Sequence, residues 1–249
     1  MSTMNPTVKS RIAAAARLGM LGLSLLGFIS CSSSVDLAIR NDRSATISLS
    51  LDIPPAVEAK LRSLSSLEPG QALVDPAAIR RGAETRGLRT LSSTSPTPAS
   101  YRGSFSLPDI QALSTSPGIA GTSLIAYAKG PGWASVRLRI TRGNASALLS
   151  IFPGADEELL EALQPPALYD NPVTKAEYRS MLLALLGKSS AEALDGARFS
   201  LSLALPGPIL ESEGVTIRAG NASLAWFSLP VLDALTLEQA IELYARWQE

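Results

Sequence analysis

Strict alternation of apolar and polar residues recurs along this chain and restricts its fold more than any other feature. Six segments show this period or have the composition of short strands: 35–39, 47–53, 101–106, 123–128, 136–140 and 199–205. Successive side chains of a β-strand point to opposite faces, so a period of two predicts strands that bury one face. We therefore expect an antiparallel sheet with an apolar side.

A polar turn joins the first two predicted strands. Asn41-Asp42-Arg43-Ser44 separates the two alternating runs, which predicts a β-hairpin. In the expected register Ile39 faces Ile47 and Leu37 faces Leu49, so apolar residues meet across the turn.

Gly-Asn dipeptides mark two further hairpins in similar sequence contexts. Segments 140–153 and 217–230 align without a gap, with Gly143-Asn144 in one and Gly220-Asn221 in the other. Gly supplies the positive φ that a type II′ turn needs at its first central position. The expected registers pair apolar residues across each turn: Ile140 with Ala147 and Ile217 with Leu224. Either an internal duplication or convergence on a common turn explains the similarity.

Each hairpin is followed by proline and a predicted amphipathic helix. Pro54-Pro55 opens the first helix, Asp156-Glu157-Glu158 suits the positive end of the second helix dipole, and Thr236-Leu237-Glu238-Gln239 has the spacing of a capping box for the third. A further helix is the best defined, because Thr174 and Glu177 form a capping box before an apolar stripe. The stripe contains Tyr178, Met181, Leu182, Leu185 and Leu186.

An apolar run near the start of the chain indicates export. Leu18 to Ile29 is about twelve residues long, follows three cations with no acidic residue, and is too short to span a bilayer. The only cysteine follows in Phe28-Ile29-Ser30-Cys31, which resembles the lipobox of bacterial lipoproteins. That resemblance implies cleavage after Ser30 and lipidation of Cys31. The alternatives are a buried thiol, or a secretory signal cut after Ser30.

These features predict a signal peptide at 1–30, a short tether at 31–34 and a single domain at 35–249. The expected fold class is α+β, an antiparallel sheet of β-hairpins backed by amphipathic helices. The Ser-, Thr- and Pro-rich stretch 92–100 has almost no group to bury. We therefore expect a mobile loop there.

Composition excludes several classes of function. Removal of Lys9, Arg11 and Arg17 with the signal leaves 19 basic residues against 22 acidic ones, a net charge of −3. This balance disfavours nucleic acid as a partner, because phosphate neutralisation needs a concentrated basic face. The chain has no histidine and no second cysteine. A Ser-His-Asp triad, a His-ligated zinc site and an internal disulfide are therefore excluded.

A stretch near the C-terminus carries a second resemblance. Residues 205–214, Leu-Pro-Gly-Pro-Ile-Leu-Glu-Ser-Glu-Gly, precede a turn and Trp226. This arrangement resembles a recurring segment of the LppM family of actinobacterial lipoproteins over about thirty residues, with Glu213 where that family more often has Asn. The resemblance implies an α+β domain held at the envelope, with a role in lipid or glycolipid binding. It carries over no catalytic residue.

Four residues are candidate ligand contacts. Trp133 lies in a Gly- and Pro-rich turn, where it either contacts lipid or glycan or turns inward at the start of a strand. Arg137 and Arg139 share the polar face of a strand, where they either bind an anionic headgroup or act as solvated cations that discourage aggregation. Trp226 alternates with Phe227, so one of the two points away from the main core and is covered by a helix or by a ligand.

We therefore expect a lipid-anchored, non-catalytic protein of the bacterial cell envelope, held at a membrane by acyl chains on Cys31. Its domain is expected to bind a lipid or another hydrophobic ligand between sheet and helices. The alternative is a structural or assembly component of an envelope protein complex. No cofactor, metal site or catalytic residue is expected. The acidic run 156–158 fits helix capping better than cation binding, and an enzyme with paired carboxylates is the third hypothesis.

Overall fold

Two β-sheets, packed through their apolar faces, form the centre of the fold. The structure, a computed structural model, describes residues 32–64, 67–68, 70–116, 119–148, 161, 163–169 and 171–249. These residues form eleven strands and seven helices, which confirms the predicted α+β class. The predicted signal peptide, Ser30, Cys31 and the acidic run 156–158 lie outside the described residues.

The larger sheet has seven strands. They are β1 (Ser32–Ile39), β2 (Ala45–Asp52), β3 (Arg89–Thr94), β4 (Ser100–Leu107), β7 (Arg198–Ala204), β9 (Thr216–Arg218) and β10 (Asn221–Pro230). Their spatial order is β3-β4-β2-β1-β7-β10-β9. Neighbouring strands are antiparallel except for the central pair β1 and β7, which is parallel.

The smaller sheet has four antiparallel strands that cover the apolar face of the larger one. They are β5 (Ile125–Gly130), β6 (Trp133–Ile140), β8 (Ile209–Glu213) and β11 (Ile241–Gln248), in the order β5-β6-β11-β8. Ile47 and Phe105 of the larger sheet share one buried cluster with Val136, Ala245 and Trp247 of the smaller one. The inter-sheet core therefore draws on strands from both halves of the chain.

The helices form a second hydrophobic cluster and also close parts of the first. They are α1 (Pro55–Leu64), α2 (Pro76–Glu84), α3 (Gln111–Thr115), α4 (Arg142–Ala145), α5 (Lys175–Leu186), α6 (Lys188–Asp195) and α7 (Val231–Thr236). Leu61, Tyr178, Leu182 and Leu232 pack together in the helical cluster. The architecture thus differs from the expectation in one respect, since mainly a second sheet, rather than helices, covers the first sheet.

The best-defined predicted helix is confirmed in position and in its end signals. Thr174 Oγ1 accepts a hydrogen bond from the backbone N–H of Glu177, and the Glu177 carboxylate accepts one from the N–H of Thr174. Gly187, with φ of 81°, follows the last helical residue. Met181 and Leu185, which were predicted to share the buried stripe, are 45% and 38% exposed. The buried stripe is therefore narrower than the sequence indicates.

The first hairpin forms with a register shifted by two residues. Leu37 pairs with Ile47 and Ile39 with Ala45, so the predicted pairing of Ile39 with Ile47 is wrong. A shift of two preserves the face on which each side chain lies, because the side-chain period of a strand is two. The turn is closed by Arg43 in a left-handed conformation, φ 67°.

Two predicted irregular segments are partly strand. Residues 32–34 of the predicted tether belong to β1, where Ser33 and Ser34 pair with β2 on one side and with β7 on the other. The predicted loop at 92–100 is shortened from both ends, because β3 extends to Thr94 and β4 begins at Ser100. The neighbouring strands supply the backbone hydrogen bonds of these segments. The serine-rich sequence alone does not indicate this pairing. The mobility of the remaining loop stays a prediction.

The two Gly-Asn segments adopt different structures. Gly220-Asn221 forms the predicted hairpin, although a bulge pairs Ile217 with Ala225 instead of Leu224. Gly143-Asn144 lies in α4, so the hairpin predicted there is wrong. The strand before it, β6, pairs with β5 and β11 instead.

The helix predicted after Thr236 is also wrong. Residues 241–248 form strand β11, and α7 ends at Thr236. Leu237, with φ of 43°, turns the chain out of the helix. Tertiary pairing with β6 and β8 outweighs the local capping signal at Thr236.

Candidate functional site

An apolar cavity of about 250 Å³ lies between the two sheets. One wall comes from β1, β2 and β7 and the opposite wall from β5, β6 and β11. Leu113 of α3, the preceding residue Ile110 and Leu148 complete the lining. The described lining is Val35, Leu37, Ile47, Ile110, Leu113, Ile125, Val136, Leu138, Ile140, Leu148, Phe199, Leu201, Leu203 and Leu243. Every one of these side chains is a hydrocarbon.

Strand register explains why this lining is continuous. The parallel pairing of β1 with β7 places Val35 beside Leu201 and Leu37 beside Leu203. Facing them, the antiparallel pairing of β6 with β11 places Leu138 beside Leu243. Laterally paired residues point to the same face of a sheet, so each pairing extends the apolar surface by one strand.

The size and chemistry of the cavity favour an apolar occupant. Protein interiors are close-packed, with few voids larger than a water molecule. Leaving this hydrocarbon lining in contact with water is unfavourable, at roughly 25 cal/mol per Å² of apolar surface. Water is a poor occupant, because it needs polar partners and the described lining has none. A hydrocarbon chain meets no unpaired polar group there.

Three predicted contact residues lie together on the outer face of the smaller sheet, away from the cavity. Arg139 Nε donates a hydrogen bond to Glu242 Oε1 at 2.7 Å. The guanidinium carbon of Arg137 lies 4.9 Å from the centre of the Tyr244 ring. Trp133 lies beneath Arg246, whose guanidinium carbon is 5.9 Å from its ring. These side chains form a ladder of contacts between β6 and β11, and none of the three lines the cavity.

Trp226, the fourth predicted contact residue, lies on the outer face of the larger sheet. It pairs with Ser202 of β7 and Thr216 of β9, and its side chain is 50% exposed. Phe227, its neighbour in β10, packs with the inter-sheet residues Leu201 and Leu243. The structure therefore separates Trp226 from the other three candidates, and sequence reasoning missed the cavity lining itself.

A second, more polar cleft of about 450 Å³ lies beside α7 and the start of β11. Its carboxylates are already engaged. Asp233 pairs with the Lys175 ammonium at 2.6 Å, and Glu238 Oε1 accepts from the Lys175 backbone N–H at 2.7 Å. Glu242, which also lines the cleft, is the partner of Arg139. Because each carboxylate has a cation or a backbone donor, this cleft resembles a structural junction more than a binding site.

Three tyrosines in the two hydrophobic cores have raised pKa values. Burial raises the pKa of Tyr101 and Tyr127 between the sheets, and it raises the pKa of Tyr178 well above its usual range in the helical cluster. The Tyr178 hydroxyl donates to the backbone carbonyl of Leu163 at 3.0 Å. These shifts reflect loss of solvent, which disfavours the charged phenolate.

The described part of the chain also lacks two other features. No three Cys, Asp or Glu side chains gather there in a way that would hold a metal ion. No helix among these residues is both long and apolar enough to cross a bilayer.

Comparison with known proteins finds no matching family model and no matching curated protein. Among solved structures, the chain is similar to the folded domain of the LppM protein of Mycobacterium tuberculosis, determined by NMR. The TM-score is 0.37 and the sequence identity 11%, over 88% of this chain and 90% of that one. This likeness is too weak to show a shared fold or function.

Proposed function

We propose that this protein is anchored to the bacterial envelope through lipidated Cys31 and holds a hydrocarbon chain in the cavity between its sheets. The observation that carries the proposal is the cavity itself, whose described lining consists of hydrocarbon side chains alone. The lipobox-like sequence Phe28-Ile29-Ser30-Cys31 supports the anchor.

The cavity restricts what part of a ligand it accepts. Each methylene transferred from water into such a site contributes about 0.8 kcal/mol. A hydroxyl or amide placed there without a partner costs roughly 2 kcal/mol or more. The volume of about 250 Å³ lies below the range of roughly 300–1,000 Å³ usual for drug-sized ligands. A single acyl chain therefore fits the site better than a whole lipid, and its polar head stays outside.

A cavity-filling substitution tests the proposal. Leu201→Trp places an indole in the cavity, whereas Leu182→Trp makes the same change in the helical cluster, away from the lining. We expect Leu201→Trp to abolish binding of the fluorescent fatty acid cis-parinarate and to retain most of its stability. Leu182→Trp should keep the binding but lose about 1–3 kcal/mol of stability through overpacking.

Competition and lipid labelling complete the test. Alkanoates from hexanoate to palmitate should displace cis-parinarate with rising affinity until the cavity is filled. Radiolabelled palmitate should enter the wild-type chain and not the Cys31→Ser variant. Binding that survives Leu201→Trp unchanged, in a folded variant, would contradict the ligand site, and failure of palmitate to enter the wild-type chain would contradict the anchor.

A further inference from the structure

We infer that the cavity receives one of the acyl chains carried by Cys31 of the same molecule. The inference rests on the proposed function, since it needs both the lipidated cysteine and the apolar cavity. It adds the identity of the occupant and a coupling between the cavity and membrane attachment.

The point where the described chain begins supports this assignment. Strand β1 starts at Ser32, directly after Cys31, and Ser33 pairs with Phe199, which lines the cavity. Two residues of extended chain span at most about 7 Å. The covalent chain therefore keeps Cys31 within about 7 Å of Ser33, and Phe199 lies one strand spacing of about 4.8 Å beyond Ser33.

The lengths of cavity and chain also agree. On β7 the lining runs from Phe199 through Leu201 to Leu203. These four residue steps measure about 13 Å at roughly 3.3 Å per residue. An acyl chain that spans one leaflet covers half of the hydrocarbon core of about 30 Å, so about 15 Å. A chain that enters beside Phe199 therefore reaches the far end of the lining.

The inward-facing side of β1 leaves a path for such a chain. Ser33, Val35 and Leu37 alternate toward the smaller sheet, and Val35 and Leu37 line the cavity. Ser33, the first of the three, is small and half-buried, so it leaves more room at the start of the strand than a leucine or valine. The wall thus changes from a small polar residue near Cys31 to hydrocarbon further along.

Occupation by its own lipid makes the cavity a regulator of membrane attachment. Stable anchoring of a lipidated protein takes at least two membrane signals, so the number of inserted chains matters. A chain held in the cavity is withdrawn from the membrane, and an external acyl ligand that displaces it returns it there. Attachment is then tighter when the cavity is filled by something else.

Photo-crosslinking of the full-length, lipidated protein tests the inference. Cells expressing the chain are fed palmitate with a terminal diazirine, membranes are irradiated, and crosslinked peptides are mapped by mass spectrometry. We expect the lipid on Cys31 to crosslink to peptides containing Val35 and Leu37 or Leu201 and Leu203. Leu201→Trp should abolish these crosslinks and Leu182→Trp should preserve them. If circular dichroism shows that Leu201→Trp does not fold, Leu243→Phe fills the same cavity from the other sheet.

Each of the following outcomes would overturn the inference. Crosslinks only to membrane lipids, or crosslinks that survive both cavity-filling variants in folded protein, place the chain outside the cavity. Crosslinked dimers on a denaturing gel assign it to a second molecule. A separate arm adds free diazirine-palmitate to the full-length Cys31→Ser variant. Cavity labelling there, without labelling by the Cys31 lipid, refutes the inference and leaves the proposed function standing, whereas no labelling in either arm refutes both.

Discussion

At the scale of single residues, one buried amide holds the junction after β6. Asn144 Oδ1 accepts a hydrogen bond from the backbone N–H of Thr141 at 2.8 Å. Its Nδ2 donates to the carbonyl oxygens of Thr122 at 3.1 Å and Arg139 at 2.9 Å. One side chain thus satisfies three backbone groups from separate parts of the chain, which a buried segment requires.

Asn144→Ala removes all three hydrogen bonds and leaves the backbone groups without them. We expect the free energy of unfolding to fall by about 1–3 kcal/mol, because an unsatisfied buried polar group loses its solvation without compensation. Asn221→Ala is the matched control, since it follows glycine in the same way but is exposed. It removes one exposed hydrogen bond, from the Ser223 N–H to Asn221 Oδ1 at 3.0 Å, so its cost should stay below about 1 kcal/mol. Urea denaturation of both variants measures the difference, and equal losses would contradict the structural role assigned to Asn144.

At the scale of elements, the connection from β8 to β9 carries the chain from one sheet to the other. Gly214 lies at this crossing with φ of 69°, against the backbone carbonyl of Glu242 in β11. A side chain there meets a carbonyl that is fixed by the sheet. Gly220, in the β9–β10 turn, has a similar φ of 78° but open space around it.

Alanine substitutions at the two glycines distinguish backbone strain from a steric clash. Gly220→Ala should cost about 1–2 kcal/mol, the penalty of a left-handed conformation for an L-residue. Gly214→Ala should cost on the order of 3–5 kcal/mol, because it adds a clash with Glu242 to the same penalty. Thermal or urea unfolding of both variants checks the order. Similar losses for the two substitutions would show that the β8–β11 contact yields without cost.

Local sequence patterns predict some of these elements better than others. The capping box at Thr174 and Glu177 and the alternation in β1 and β7 are local signals, and the structure follows them. The Gly-Asn dipeptide is ambiguous, because the structure at Asn144 depends on the carbonyl of Thr122, which is distant in sequence. Strand β11 had a usable signal in its alternating Ile, Leu, Ala and Trp, which the capping box at Thr236 concealed.

The cavity shows how far the sequence predicts the candidate site. Alternation predicts that Val35, Leu37 and Leu201 point inward, and they do. It does not predict that a second sheet faces them, because that sheet is assembled from distant segments of the chain. Whether two apolar faces meet closely or leave a void depends on the separation and twist of the sheets. Exposed aromatic and basic residues were easier to select from sequence, and they lie on the outer faces.

At the scale of the whole molecule, the two hydrophobic clusters have different spectroscopic reporters. All three tryptophans lie in strands, namely in β6, β10 and β11. The cluster formed by α1, α5 and α7 contains Tyr178 and no tryptophan. Tryptophan fluorescence therefore follows the sheets. Helical circular dichroism is dominated by α1, α5, α6 and α7, which contribute to the other cluster. Coincident transitions would show that both unfold as one cooperative unit.

Alkaline pH should lower the free energy of unfolding through Tyr178. Burial raises its pKa in the folded state above the unfolded value of about 10. Its contribution is therefore fully present below pH of about 10 and is lost as pH rises further, when the unfolded chain releases the proton first. Tyr178→Phe should cost about 1 kcal/mol at neutral pH, since it removes the hydrogen bond to Leu163, but should make stability fall less steeply above pH of about 10. Tyr169→Phe, at an exposed tyrosine, controls for general effects of alkali. Urea unfolding across this pH range measures the slopes, and equal slopes for wild type and Tyr178→Phe would contradict the assigned burial.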